Sequence, residues 1–468
     1  MAVKARGIND LSQPVRLPVA MVAMGGLLAL TLLGPAMTIL TGNSEGAGNL
    51  GRQAGYLLVF ALAVVAMRPL RHPERLLVVP WPLVVALAWC WLSLVWAIDP
   101  GVGVRRLILT TLVLWSVFSL VRQLGYERTL LMVRCALVLV LIANFATSLL
   151  FPVIGIHQVA EADGLAGDWR GMMAHKNIAG LACALTIILF AFDRRNLPYW
   201  AMGGSIVGAG IFLILSNSKT SIGLIVAALI LGSGVALFNR RFASVLRLSR
   251  AVRIGIVVVL LAGLTALFHL GIQTDAMLEY ISDPTNLTGR TSIWVPLVRY
   301  YLSNPMLGTG YGSFWNINAA SPIKGDQQGW LLAVSQGHNG FLDLMITIGL
   351  PGLILVLAAT LIWPLGRLLL RPGIRFVACA LIASIVIFCI GHNGTESSLF
   401  DRDTIGQVFL MLALALLANN EAIAPTPARR APRPDPGAET DRSARPHADE
   451  RTSRPARRYS SSRGSRPS

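Results

Sequence analysis

Two residues of this chain have the types and placement to do chemistry together. Arg290 and His338 bracket the second half of the longest polar link, residues 271–340, in a sequence otherwise made of apolar runs. A guanidinium donates two parallel hydrogen bonds and suits a phosphate, while an imidazole takes up and releases protons near neutral pH. Five of the seven histidines (His157, His175, His269, His338 and His392) fall on one set of alternate links or at their helix ends; His72 and His447 do not. That asymmetry points to chemistry on one side, although polar residues also collect wherever the loops are largest.

The same set of links carries the other candidates. Residues 152–177 contain Arg170 and end on His175, Lys176 and Asn177; the string SNSKTSIG places Lys219 among hydroxyls. QGHNGFLD supplies His338, Asn339 and Asp343, and GHNGTESSLFDRD supplies Glu396. One charge at a helix end reads as interfacial, whereas several cations converging with a histidine read as an anion pocket. Trp294, Tyr300, Tyr301, Tyr311, Phe314, Trp315 and Trp330 lie in the large link. They either stack on sugar rings or anchor the link at the lipid headgroups. The string GHNG occurs twice, at 337–340 and 391–394. The five cysteines all sit in apolar runs without CxxC or CxxH spacing, so they read as small buried hydrophobes, with no disulfide framework and no metal site.

Membrane helices must position these groups. The 468 residues are 54% hydrophobic and 13% charged, against roughly 25% charged for a soluble domain. Apolar runs fall near 18–40, 55–67, 80–97, 107–121, 131–151, 178–192, 199–215, 221–238, 254–271, 341–363, 374–390 and 404–418. About twelve transmembrane helices are therefore expected, at roughly 20 residues each. The net charge of +17 sits in short links and the tail, a pattern of membrane topology rather than nucleic-acid binding. Arginine bias puts both termini in the cytoplasm and the histidine-rich links outside; the outer pair Arg105–Arg106 runs against it. The expected organisation is a cytoplasmic lead (1–17), nine helices (18–271), a large, partly helical periplasmic catalytic loop (272–340), three helices (341–418) and a basic tail (419–468). The tail has almost no large apolar residues and is expected to be disordered.

The strings SNSK at 216–219, TGRTSIW at 288–294, and GHNGFLD at 337–343 followed by GLPG, together with AHKN at 174–177, resemble the O-antigen ligase and polysaccharide polymerase superfamily of bacterial inner membranes. The resemblance runs from about residue 80 to 418. It implies an all-α, GT-C-like membrane glycosyltransferase that moves undecaprenyl-diphosphate-linked glycan to an acceptor glycan on the periplasmic side, with no cofactor and no divalent metal. Lys219 and Arg290 then match diphosphate-binding positions, with Arg170 and Lys176 as further cations, and His338 matches the catalytic position. His175, Asn177, Asn339, Tyr311 and Glu396 are supporting or glycan-binding candidates. Lysine at 219, where ligases more often have arginine, favours the polymerase branch. The implied partners are the lipid-linked donor, the acceptor glycan, the bilayer and other polysaccharide assembly and export proteins, with no nucleic acid.

Arg290, with Lys219, is expected to hold the diphosphate leaving group while His338 takes the proton of the attacking hydroxyl in a single inverting displacement. Glu396 as nucleophile would instead retain configuration. Ligation of glycan to lipid A-core or to a protein is the alternative with the same chemistry. A transporter is the alternative from another class, disfavoured because the span interiors are nearly free of charge.

Overall fold

In lipid every backbone amide must find an internal partner, so uncharged apolar runs become helices. The computed structural model describes residues 13–41, 50–69, 73–159, 165–193, 197–239, 290–317, 320–322, 334–371 and 374–419. These residues form α1 (Gln13–Thr41), α2 (Leu50–Met67), α3 (Trp81–Leu92), α4 (Pro100–Leu150), α5 (Lys176–Ala191), α6 (Tyr199–Leu215), α7 (Lys219–Leu237), α8 (Thr291–Ser303), α9 (Gly340–Leu357), α10 (Trp363–Leu370), α11 (Phe376–His392) and α12 (Ile405–Ala418). No strand occurs among the described residues, and the expectation of an all-helical membrane protein holds. Five apolar stretches, in α1, α2, α4, α7 and residues 340–370, are long enough to cross a membrane. The expected run at 254–271 lies outside the described residues, as do most of the amino-terminal lead, residues 272–289 with 323–333 of the large loop, and the tail beyond Asn419.

Boundaries shift where polar contacts reward extra turns. Helix α1 starts at Gln13 rather than 18, so it takes in the end of the expected cytoplasmic lead. Helix α2 starts at Leu50 rather than 55, and Arg52 in its first turn pairs with Asp403 at 2.7 Å. Helix α4 carries two expected spans in one element. It breaks at Gly125 (φ 74°, ψ 178°), a backbone conformation that favours glycine. Each half is about 37 Å long at 1.5 Å per residue, enough to cross a hydrocarbon core of about 30 Å. Both ends of α4 meet links expected on the same side: Asp99 donates its N–H to Ser313 Oγ, and His157, just beyond α4, accepts the N–H of Lys176.

Helices α11 and α12 are apolar on every face and buried on nearly every face, which makes them the centre of the bundle. Around them the links sort into two ends. At one end Arg134 donates to the carbonyls of Leu189, Phe192 and Asp193, and Asn239 donates to those of Leu368 and Arg371. The other end gathers residues 97–99, 151–159, 165–175, 216–218, 290–317, 334–340 and 393–404.

At this second end the glycines of GTGYG form a strap. Gly308, Gly310 and Gly312 all have positive φ. A Cβ on Gly310 would stand 2.5 Å from Ala97 Cα, so only glycine lets the strap lie against the end of α3. Arg106 reaches out of α4 to donate to the carbonyls of Gly312 (2.6 Å) and Trp315 (2.9 Å). That accounts for half of the arginine pair that broke the charge rule: Arg106 is a buried latch, while Arg105 is exposed. Helix α9 also departs from the single span expected at 341–363. It breaks at Gly349 (φ 71°), where Leu350 donates to Pro305, and Trp89 Nε1 caps the freed carbonyl of Ile348. The apolar stretch then continues to Leu370. Of the cysteines, Cys90, Cys183, Cys379 and Cys389 are buried as expected, but Cys135 is exposed on the outside of α4.

Candidate functional site

The two GHNG strings touch. Gly340 at the start of α9 donates its N–H to the carbonyls of Asn393 (2.8 Å) and Glu396 (3.1 Å). A Cβ at Gly340 would fall 2.2 Å from Asn393 Oδ1, so the approach requires glycine. Asn393 in turn holds the 393–399 turn together by accepting the N–H groups of Ser398 and Leu399. In the first string, Gly337 N–H points at the carboxylate of Asp343, which also accepts from Trp315 Nε1 at 2.9 Å. Asn339 caps α9 by accepting from Phe341 and Leu342, while its own N–H goes to Ser397 Oγ. Held from both sides, His338 adopts φ 48°, a left-handed conformation that costs a non-glycine residue roughly 1–2 kcal/mol. Asn339, expected as a supporting or glycan-binding residue, supports the site by spending its side-chain oxygen on this cap.

Glu396 is the partner of the His338 ring. Its Oε1 accepts from Arg290 Nη2 at 2.7 Å and from Asn177 Nδ2 at 2.6 Å. Its Oε2 lies 3.2 Å from His338 Nδ1. Burial alone would raise the carboxyl pKa, but the His338 hydrogen bond and the charges of His338 and Arg290 prevail and hold it at about 2. In the neutral tautomer that donates from Nδ1 to this carboxylate, Nε2 of His338 carries the lone pair. Arg290 commits one hydrogen bond to the carboxylate among the described residues, and a guanidinium has five N–H groups.

Two further links close around this centre. Asn177 Oδ1 accepts from Ser218 Oγ at 3.3 Å, which joins AHKN to SNSK. Thr220 Oγ1 meets Thr395 Oγ1 at 3.0 Å, so exposed Lys219, one residue earlier, stands at the rim next to the Glu396 turn. His175 caps α5, its Nδ1 accepting the Asn177 N–H at 3.2 Å. Burial pushes its pKa down to about 4.

Because the folded value lies below the ordinary 6.5, the unfolded chain binds the extra proton between those two pH values. Stability from this group is complete above pH 6.5 and declines as pH falls towards 4. His175→Asn keeps a capping oxygen and removes the titration. Melting temperatures of the detergent-extracted protein from pH 7 to 4.5 should therefore fall less in the variant than in the wild type.

Other expected site residues lie elsewhere. Lys176 pairs with Asp168 at 2.5 Å, and Arg170 Nε donates to the Ile154 carbonyl at 2.8 Å, so both are engaged within residues 152–177. Tyr311 is 5% exposed, and its hydroxyl lies between Thr110 Oγ1 and the Phe400 carbonyl. It is a post of the loop, which fits the supporting one of the two roles expected for it. Tyr301, Phe314 and Trp315 are buried as well, and therefore neither stack on ligand nor sit at headgroups. Trp294 donates to the Gly337 carbonyl. Trp330 lies outside the described residues. No cluster of three or more histidine, cysteine or carboxylate side chains able to hold a metal occurs among the described residues. What the sequence underrated was Glu396; its one signal was its position just after the repeated GHNG.

Residues 204–357 match the family described as O-antigen ligase, a stretch that includes Lys219, Arg290 and His338 but neither Asn177 nor Glu396. The chain is also 28% identical over 243 residues to the exopolysaccharide production protein ExoQ of Rhizobium meliloti (strain 1021). That match covers 49% of this chain and spans about half, 54%, of the relative's length. Both comparisons support the resemblance carried by the outer motifs: this chain is similar to the O-antigen ligase and polysaccharide polymerase superfamily.

Proposed function

We propose that this protein is a polysaccharide polymerase of the bacterial inner membrane. It transfers undecaprenyl-diphosphate-linked glycan to a hydroxyl of an acceptor glycan at the periplasmic face, with inversion and without a metal. The observation that carries this reading is the single carboxylate of Glu396 shared by Arg290 and His338. The acceptor O–H gives its proton to Nε2 of His338 as its oxygen attacks the anomeric carbon. The bond from that carbon to the diphosphate oxygen breaks, and its electron pair leaves with the diphosphate. The N–H groups of Arg290 that do not face Glu396, with Lys219 at the rim, stabilise the charge that gathers there. Both oxygens of Glu396 face donors, which favours it as the group that orients His338 over a nucleophile and so favours inversion.

The name of the Rhizobium meliloti relative refers to exopolysaccharide production, and this favours polymerisation. The O-antigen ligase family match supports the second reading, ligation to lipid A-core. Deleting the gene separates them. Loss of a polymerase leaves single repeat units on the carrier lipid, and loss of a ligase leaves long carrier-linked chains. Purified protein should turn over carrier-linked repeat units in detergent, where transport is impossible. No turnover with any acceptor glycan, beside intact export of a solute across vesicles, would replace the enzyme with a transporter.

A further inference from the structure

At the end of the bundle opposite Glu396 lies a cavity of about 450 Å³, within the usual size of a ligand pocket. Its polar lining is Arg16 of α1, Arg75 at the end of the turn Pro73–Arg75, and Arg122, Gln123 and Arg128 of α4. The two α4 arginines stand on either side of the Gly125 break, which turns both halves of the helix towards the same space. The remaining lining is apolar: Leu17 and Ala20 of α1 with Ala66 and Met67 of α2. No carboxylate among the described residues lines it. Arg75 is steadied by its contact with the Met67 carbonyl at 3.5 Å, and Gln123 by Ser119.

From this juxtaposition we infer a binding site for the phosphate headgroup of an anionic membrane lipid, seated between α1, α2 and the α4 break. Four guanidinium groups match a phosphodiester in charge and in hydrogen-bond geometry. The apolar floor, at the level where the spans of α1 and α2 meet their polar ends, matches the glycerol and first acyl carbons and offers nothing to free phosphate. Basic pockets between membrane helices hold acidic headgroups on this principle. The site is independent of the transfer reaction.

Native mass spectrometry of the full-length protein, in detergent with equal phosphatidylglycerol and phosphatidylcholine, tests it. At least a tenfold preference for retained phosphatidylglycerol is expected, and at least a tenfold drop in that retention for the double variant Arg122→Gln/Arg128→Gln. Equal retention of the two lipids by the wild type overturns the site even if the variant does not fold. Unchanged retention in a folded variant reduces the arginines to topology signals and also overturns it. Displacement of phosphatidylglycerol by millimolar inorganic phosphate would assign the cavity to a soluble anion and overturn the lipid assignment.

Discussion

Glu396→Gln is expected to lower glycan transfer by roughly 10²–10⁴-fold, the range for losing an oriented general base. Three donors converge on this side chain, from Arg290, Asn177 and His338. A carboxylate accepts all three. A glutamine offers one oxygen and one NH₂ group, so its NH₂ meets a donor or forces the imidazole proton onto Nε2. The imidazole then loses the partner that keeps its proton on Nδ1, and the guanidinium loses its counter-charge. Losing charge-assisted hydrogen bonds costs about 1.5–3 kcal/mol each in folding terms, so the variant should insert and extract with a lowered melting temperature. Glu396→Asp keeps the charge with a shorter reach and should recover part of the rate. Initial rates with carrier-linked repeat units, beside melting curves for all three proteins, are the measurement. Wild-type turnover by the glutamine variant would remove Glu396 from the mechanism, and a glycosyl ester trapped on Glu396 would replace single displacement with a double one.

The second large effect is expected at His338, and its backbone provides an unusual control. At φ 48° the residue sits where glycine is at ease and other side chains are strained. His338→Gly relieves that strain but gives up the hydrogen bond to Glu396 and adds entropy to the unfolded chain, so stability should change by no more than about 2 kcal/mol, while transfer falls by roughly 10²–10⁴-fold. A histidine present only for structure would show the reverse pattern, with stability lost and turnover kept. Asn339 performs the helix capping, so removing the imidazole leaves the start of α9 intact. Polymer of normal length from cells carrying His338→Gly would show that the proton goes elsewhere. The two variants probe one unit, and their combined loss should be much smaller than the product of the separate losses.

Much of this architecture is legible in the linear chain because hydropathy is local. A run of about 20 uncharged residues has one stable state in lipid; every expected run within the described residues is helical, and five apolar stretches are long enough to cross a membrane. The alternation of links between two ends follows once the helices are known, so the sequence itself assigns Arg290, His338, Lys219 and Asn177 to one end. The similarity to the ligase and polymerase superfamily also rests on short strings within single links.

Only the tertiary structure decided which of those groups touch. Glu396 meets partners 219, 106 and 58 residues away, and no periodicity or spacing encodes such a pairing. Nor does composition show how a polar residue spends its hydrogen bonds: Lys176 turns to Asp168, Asn339 to its own helix, Tyr311 into the core and Arg106 onto the GTGYG strap. Residue type sets what a side chain is able to do, and the packing of distant segments sets which of its donors and acceptors remain for chemistry.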